Sequence, residues 1–199
     1  TVRPTKKQLY FILSVTLFSS IILLIFLFRD VPNPTKLTKN PAPVSTQILD
    51  HNGQLLYEIY SDQNRNPISI KDLPDYVYHA SIAIEDQNFY SHWGLDLRGI
   101  ARAAFKTLSG QRLEGGSTIT QQLVKTALLN DSSRTITRKF REAVLALLTE
   151  IIYTKDQILE MYLNNAPYGG TAYGIESASH QYFNKSAKEL TLAITYPVN

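Results

Sequence analysis

The sequence has no cysteine, and it has only one methionine and one tryptophan among its 199 residues. The lack of cysteine excludes disulfide bonds, thiolate zinc sites and a cysteine nucleophile, and it fits an exported protein without proving export. The sequence also has no internal repeat, and no low-complexity run outside one short proline-rich segment. Because 44% of the residues are hydrophobic, the chain can still build a folded core.

Charge is missing from residues 9–28, LYFILSVTLFSSIILLIFLF. A helix of this length spans roughly 30 Å, the thickness of a bilayer core. A cleaved signal peptide is the alternative, but the run is too long and RDVPNP follows it in place of a small-residue cleavage site. Since Arg3, Lys6 and Lys7 precede the run, the positive-inside rule predicts a single-pass protein of the cytoplasmic membrane, with its amino terminus inside.

The formal net charge of +3 conceals an uneven distribution. Residues 98–141 hold nine basic and two acidic residues, a local charge of +7, whereas residues 31–199 as a whole hold 16 of each sign. A basic centre within a neutral domain suits a compact anionic ligand such as a diphosphate better than a nucleic acid. A solvated charged surface explains the same feature equally well.

The chain divides into five segments by composition. The predicted segments are a cytoplasmic tail (1–8), a transmembrane helix (9–28), an extended proline-rich spacer (29–45), a β-hairpin with a linker (46–72) and a mostly helical domain (73–199). The hairpin prediction depends on Asn52-Gly53, a strong turn signal between two alternating runs.

Helix starts in the last segment can be read from capping residues. Asp96 can cap the helix that follows it, and the pairs Thr118/Gln121 and Thr154/Gln157 have the spacing of capping boxes. Between residues 133 and 153, apolar residues recur at helical spacing and predict a long amphipathic helix: Ile136, Phe140, Val144, Leu147 and Ile151. A polar loop between two of the predicted helices is flanked by glycines: Gly110, Gly115 and Gly116.

Glu85 is the first candidate for chemistry. It ends the small apolar run 80–84, so we expect it to be partly desolvated and suited to a general acid or base role. An ordinary surface carboxylate at a helix end is the simpler interpretation of this feature alone. His92 follows, and a single histidine is more often structural than catalytic.

The segment GGSTITQQLVKT is the second candidate. On a helix, Thr118, Gln122 and Lys125 are spaced i, i+4 and i+7, so they share one face. The helix start, with free backbone N–H groups after two glycines, is a natural anion site. A capped amphipathic helix with a solvated side is the alternative, although such a face more often carries Glu and Lys than Thr and Gln.

The third candidate is TRKFREAV. Arg138 and Glu142 are four residues apart, and an exposed helical salt bridge of this kind contributes only a few tenths of a kcal/mol. The functional interpretation is a carboxylate held within a cationic frame of Arg138, Lys139 and Arg141, close to an anionic leaving group.

These motifs resemble glycosyltransferase family 51, the peptidoglycan glycosyltransferases that also form the amino-terminal domain of class A penicillin-binding proteins. The family's E-D-x-x-F-x-x-H-x-G and G-x-S-T-[IL]-T-x-Q segments begin here at Glu85 and Gly115, its R-K-x-x-E at Arg138, and its K-x-x-I-L-E-x-Y-L-N at Lys155. The resemblance covers residues 73–193. Thr126 departs from it, because the family commonly has Asn there, and the absence of S-x-x-K and K-T-G leaves no transpeptidase site.

The resemblance implies a mainly α, lysozyme-like domain, truncated at its carboxyl end, that acts on lipid II at the membrane. It implies that Glu85 and Glu142 are catalytic. Substrate contacts are implied for the other motif residues: Asp86, Phe89, His92, Ser117, Thr118, Gln121, Gln122, Lys125, Arg138 and Lys139. No cofactor is required, although a divalent cation such as Mg²⁺ is compatible.

The implied partners are lipid II, the nascent glycan strand, the membrane and other cell-wall synthesis proteins, but no nucleic acid. Two alternatives stay open from the sequence. One is a lysozyme-like peptidoglycan hydrolase or lytic enzyme, in which a lone glutamate serves as general acid. The other is an inactive, truncated, membrane-anchored binding module.

Overall fold

The computed structural model describes residues 5–29, 31–39, 43–53, 55–60, 62–109, 116–129, 133 and 135–192. Gly110 and Gly115 of the predicted loop lie outside the described residues, and so do residues 193–199 at the predicted truncation.

The described chain is mainly α-helical with two small sheets, as the lysozyme-like prediction requires. Its α-helices are α1 (Lys6–Phe28), α2 (Lys36–Lys39), α3 (Asp75–Glu85), α4 (Leu97–Leu108), α5 (Ile119–Val124), α6 (Ile136–Ile152), α7 (Lys155–Asn165) and α8 (Ile175–Phe183). Helix α5 continues as a π-helical turn over Lys125–Leu129, and short 3₁₀ turns occur at Ile70–Asp72, Phe89–Ser91 and Ala187–Glu189.

The predicted membrane helix is present as α1. A capping box between Thr5 and Gln8 starts it, and it is long and apolar enough to cross a membrane by length and composition. Its end packs on α6, where the rings of Phe28 and Phe140 meet edge to face with centroids 5.8 Å apart. Nearby, the Arg141 Nε–H donates to the Leu27 carbonyl at 3.4 Å.

The segment after α1 is not the extended spacer that its composition predicts. Val31 packs against the cluster of Val124, Leu145 and Ala146, and Pro34 is buried. Leu37, on the single turn α2, packs against the main core. The proline-rich segment therefore lies against the domain, because it carries enough apolar surface to bury there.

The predicted hairpin is confirmed. Strand β1 (Thr46–Leu49) pairs antiparallel with β2 (Leu55–Ile59), and Gly53 takes the positive φ of +81° that the turn requires. A second sheet, which the sequence did not predict, has the order β3 (Asn64–Arg65), β5 (Ala172–Tyr173), β4 (Pro167–Gly169), with β3 parallel to β5 and β4 antiparallel to it.

The main core surrounds α5 and α7. Ile119 and Leu123 of α5 and Ile158, Leu159 and Leu163 of α7 are each at most 1% exposed. Both helices begin with the predicted capping boxes, Thr118/Gln121 and Thr154/Gln157. The short helix α5 is therefore packed against other parts of the domain on most of its sides.

Helix α6 forms as predicted, but its apolar stripe faces away from the domain core. Ile136 is 90% exposed and Ile151 is 72% exposed, while Phe140 contacts the end of α1. The buried residues of the helix are instead Glu142, Leu145, Ala146 and Thr149. Hydrophobic periodicity located the helix correctly. Which face of α6 is buried depends instead on its packing against α5 and α1.

Candidate active site

Glu85 is the last residue of α3, and its side chain is exposed. The expectation that it is partly desolvated is wrong, because the chain turns inward at Asp86 and leaves Glu85 at the open helix end. The side-chain amide Nε2 of Gln122 donates a hydrogen bond to Glu85 Oε2 at 2.7 Å. Two of the predicted segments therefore meet through this contact.

Asp86, by contrast, is only 6% exposed. Its Oδ2 accepts the backbone N–H of Ile119 at 3.0 Å, and its two oxygens lie 2.9 and 3.0 Å from His92 Nε2. The predicted anion site at the start of α5 is therefore occupied by the protein's own carboxylate. Asp86 and His92 thus support the start of α5, and Asp86 also lines a cavity beside Glu85; their contact with substrate stays a prediction.

Three more residues expected to bind substrate are buried. Phe89 is 0% exposed in the main core, and Thr118 and Gln121 are 2% and 1% exposed. The Thr118 hydroxyl donates to the Gly94 carbonyl at 2.7 Å. In this structure Phe89 lies in the core, and Thr118 and Gln121 form the capping box of α5. Thr118 also lines the cavity that contains Glu85, and Gln121 lines a neighbouring cavity, so substrate contacts of these two residues stay a prediction.

Gln122 and Lys125 remain on the open side of α5. Gln122 is half-buried, and Lys125 is exposed where the π-helical turn begins. Thr118 does not share their face, since its side chain caps the helix. Thr126, at the position where the resemblance is broken, donates its hydroxyl to the Gln122 carbonyl at 2.7 Å.

The predicted cationic frame around Glu142 is present, with one exception. Glu142 is 1% exposed, Lys139 Nζ contacts both its carboxylate and the Ser117 hydroxyl, the latter at 2.8 Å, and Arg138 NH1 lies 3.7 Å from Glu142 Oε2. Arg141 points to the end of α1 instead.

Arg138 is largely buried, yet some of its guanidinium N–H groups make no hydrogen bond to the described residues. Its side chain is 13% exposed, and its Nε and NH1 atoms are buried without a hydrogen-bond partner among the described residues. Unpaired buried donors are costly, so such an arrangement is typical of a site that a ligand completes.

Two cavities flank Glu85. One, of about 390 Å³, is polar and is lined by Glu85, Arg102, Lys106 and Ser117, among others. The other, of about 320 Å³, is apolar and is lined by Glu85 and the tyrosines Tyr162, Tyr168 and Tyr182, among others. A third, of about 370 Å³, shares Gly116 and Ser117 with the polar cavity and reaches Lys139. These adjoining cavities, here called the groove, extend from Glu85 to Lys139 of the cationic frame.

The tyrosine side of the groove carries neutral hydroxyl groups. Burial raises the pKa of Tyr162 and of Tyr168 above the ordinary value, and the nearby Glu85 carboxylate raises each further. Tyr168, Arg102 and Lys106 line these cavities but were not among the site residues predicted from the sequence. The local charge of residues 98–141 signalled the two basic residues, but nothing local signalled the tyrosine.

No group of three or more His, Asp or Glu side chains that could hold a metal ion occurs among the described residues. Glu142, the acidic residue nearest the basic groups, is already flanked by Arg138 and Lys139. The part of the chain that the structure describes therefore offers no site that would hold a divalent cation by three protein ligands.

A buried carboxylate among cations, an exposed carboxylate on a groove and a mainly α scaffold define a candidate carbohydrate-active domain. The Transglycosylase family model matches residues 52–195. The chain is 42% identical to penicillin-binding protein 1F of Bacillus subtilis over 94% of its length, 44% identical to penicillin-binding protein 1A of Rickettsia felis over 83%, and 39% identical to penicillin-binding protein 1A of Aquifex aeolicus over 94%.

The chain belongs to the transglycosylase family, as the glycosyltransferase domain of class A penicillin-binding proteins. It spans 27%, 21% and 26% of the lengths of the three relatives.

Proposed function

We propose that this chain is a peptidoglycan glycosyltransferase that polymerises lipid II, a disaccharide-pentapeptide on undecaprenyl diphosphate, into glycan strands. Family membership supports the class of reaction. The observation that carries the proposal is the Glu85–Gln122 hydrogen bond of 2.7 Å, made by an exposed carboxylate that lines the groove, whose other end reaches Lys139.

Glu85 acts as the general base. It takes the proton from the 4-hydroxyl of the acceptor N-acetylglucosamine, and that oxygen attacks the anomeric carbon of the donor N-acetylmuramic acid. The bond between this carbon and the diphosphate oxygen breaks with inversion, and undecaprenyl diphosphate leaves.

The leaving diphosphate gains negative charge in the transition state, and cations placed in advance lower the barrier. Arg138 offers unpaired guanidinium donors, and Lys139 and Lys125 add positive charge. Glu142 orients this frame through its contacts with Arg138 and Lys139. No step uses a metal ion.

The two cavities beside Glu85 suit two substrate molecules. The polar cavity, with Arg102, Lys106 and Ser117, fits a sugar linked to phosphate. The tyrosine-lined cavity fits the face of a sugar ring. Glu85 lines both, as a base between acceptor and donor must.

We also propose that the domain lies on the outer face of the cytoplasmic membrane, with α1 as a single-pass anchor. Exposed apolar side chains support contact with the bilayer: Leu97 and Phe105 of α4 are 72% and 71% exposed, and Ile136 and Ile151 of α6 are 90% and 72% exposed. Membrane contact suits the reaction because both substrates carry lipid tails.

Incubation of the full chain in lipid vesicles with purified lipid II tests the proposal. Glycan strands should grow, and Glu85→Gln should abolish growth while its circular dichroism stays unchanged. Near wild-type turnover by Glu85→Gln would remove Glu85 from the role of base. Release of muropeptides from polymeric peptidoglycan, with no strand growth, would instead establish the hydrolase alternative. A folded wild-type chain with neither activity would support the alternative that the chain is an inactive binding module.

A further inference from the structure

Glu150 lies on α6, two turns beyond Glu142. Its side chain is buried and has no part in the proposed reaction. The side chain is 4% exposed. Its Oε1 accepts a hydrogen bond from the Thr120 hydroxyl at 2.6 Å and another from Lys155 Nζ at 2.8 Å. One oxygen atom therefore joins α5, α6 and α7.

Lys155 extends this connection to the segment that follows Glu85. Its Nζ lies 4.5 Å from the centroid of the Phe89 ring, over the ring face, and Phe89 is fully buried. A cation in this position is held by the ring as well as by its carboxylate partner. The Glu150–Lys155 pair therefore packs against Phe89, in the segment that directly follows Glu85 and Asp86.

The same segment approaches α6 closely at Gly94. A Cβ built at Gly94 would lie 3.1 Å from Glu150 Cγ and 2.9 Å from the Ala146 carbonyl oxygen. The residues after Glu85 thus pack against the backbone and the Glu150 side chain of α6. A shift of Glu150 would be transmitted directly to this segment, because close-packed groups have no space to absorb it.

We propose that Glu150, paired with Lys155, is a positioning residue that holds the Gln122 amide against the Glu85 carboxylate. Thr120 is two residues before Gln122 on the same short helix, and Phe89 is four residues after Glu85. Glu150 thus restrains both sides of the 2.7 Å contact. The inference rests on the proposed role of Glu85 as base. A buried ion pair adds little to stability on balance, but it strictly limits geometry.

The decisive comparison is Glu150→Gln against Glu160→Gln in the full chain. Glutamine at position 150 keeps an acceptor for Thr120 but leaves the ammonium of Lys155 without a counter-charge. Glu160 is the matched control, since its Oε2 also ties distant residues together, accepting from Ser69 Oγ at 3.1 Å and Ile70 N–H at 2.9 Å. Within the described part of the chain, the hydrogen bonds of its side chain go to Ser69 and Ile70 and not to Glu85, Gln122 or the cationic frame.

We expect Glu150→Gln to lower kcat for lipid II by about tenfold with KM changed less than about twofold. Glu160→Gln should leave kcat near that of the wild type, even if its thermal stability falls as far as that of Glu150→Gln. The Gln122 side-chain amide signal can be followed in protein labelled with ¹⁵N-glutamine and assigned by its loss in Gln122→Leu. It should move toward the signal of a solvated amide in Glu150→Gln but not in Glu160→Gln.

The inference is overturned if Glu150→Gln keeps the wild-type kcat and Gln122 signal, or if Glu160→Gln changes both equally. If Glu150→Gln does not fold, Thr120→Val removes only the link to α5 and should show the same two changes, with Thr120→Ser restoring both. A wild-type chain that turns over no lipid II would refute the proposed function, and the Gln122 signal would still decide the role of Glu150.

Discussion

Asp86 Oδ2 accepts the backbone N–H of Ile119 at 3.0 Å, which joins the residue after α3 to the first residue of α5. The two residues are far apart in the sequence, and both are buried. Because Glu85 precedes Asp86 and Gln122 follows Ile119 by three residues, this bond helps to place the two side chains that meet on the groove.

Arg138→Ala should weaken the use of lipid II as donor. Losing a charge-assisted contact to phosphate costs about 1.5–3 kcal/mol, or about a 10- to 100-fold loss in kcat/KM. The measurement is lipid II binding and turnover in vesicles. Lys188→Ala is the control, since the Lys188 side chain forms an exposed ion pair with Asp72 at 3.2 Å. Unchanged affinity and turnover in Arg138→Ala would exclude Arg138 from the donor site.

Gly94→Ala should destabilise the domain more than Gly53→Ala. Both glycines have positive φ, +77° and +81°, but a Cβ at Gly94 meets the Ala146 carbonyl at 2.9 Å whereas one at Gly53 meets nothing within 4 Å. We expect Gly53→Ala to cost about 1 kcal/mol of unfolding free energy and Gly94→Ala about 1–3 kcal/mol more. Urea unfolding followed by circular dichroism measures both, and equal losses would contradict the contact.

The end of α1 should stay docked on α6 in a bilayer. Since the chain has no cysteine, the double variant F28C/F140C can be treated with a short thiol-specific cross-linker in vesicles, and we expect efficient intramolecular cross-linking. The control is F26C/F140C, because residue 26 lies on nearly the opposite side of the helix and its side chain is 56% exposed. Equal yields from the two pairs would show that the anchor does not dock there.

Tyr90 should make a contribution to stability that disappears at high pH. Burial and a hydrogen bond from its hydroxyl to Asp156 Oδ1 at 3.0 Å raise the pKa of Tyr90 to about 12. The folded pKa exceeds the unfolded value of about 10, so the contribution is complete below about pH 10 and is lost as the pH rises through about 12.

The measurement is urea unfolding of the wild type and Tyr90→Phe at several pH values. The difference in unfolding free energy between them should narrow above about pH 10. A difference that is constant from neutral pH to about pH 12 would show that Tyr90 ionises equally easily in both states.

Most of the local structure could be predicted from the sequence. The capping boxes of Thr118 and Thr154 and the Asn52-Gly53 turn depend on residues within a few positions of one another, and each is present. The same holds for the pairing of Arg138 and Lys139 with Glu142, since residues three and four apart on a helix are neighbours.

Burial was predicted less well, because it depends on elements that are distant in the sequence. The exposed apolar stripe of α6 and the docked segment around Pro34 both depart from the prediction. Phe89 belongs to a recognisable motif, yet its position in the core follows from Lys155 and the helices around it.

The sequence by itself therefore determined the family, the secondary-structure elements and the residue types available for chemistry, since these depend on composition and short spacings. Only the tertiary structure decided that Asp86 occupies the start of α5, that Glu85 faces water and that Glu150 joins Thr120 to Lys155. The physical reason is that a polar group finds its partner, or fails to, only when distant helices pack and exclude water from the space between them.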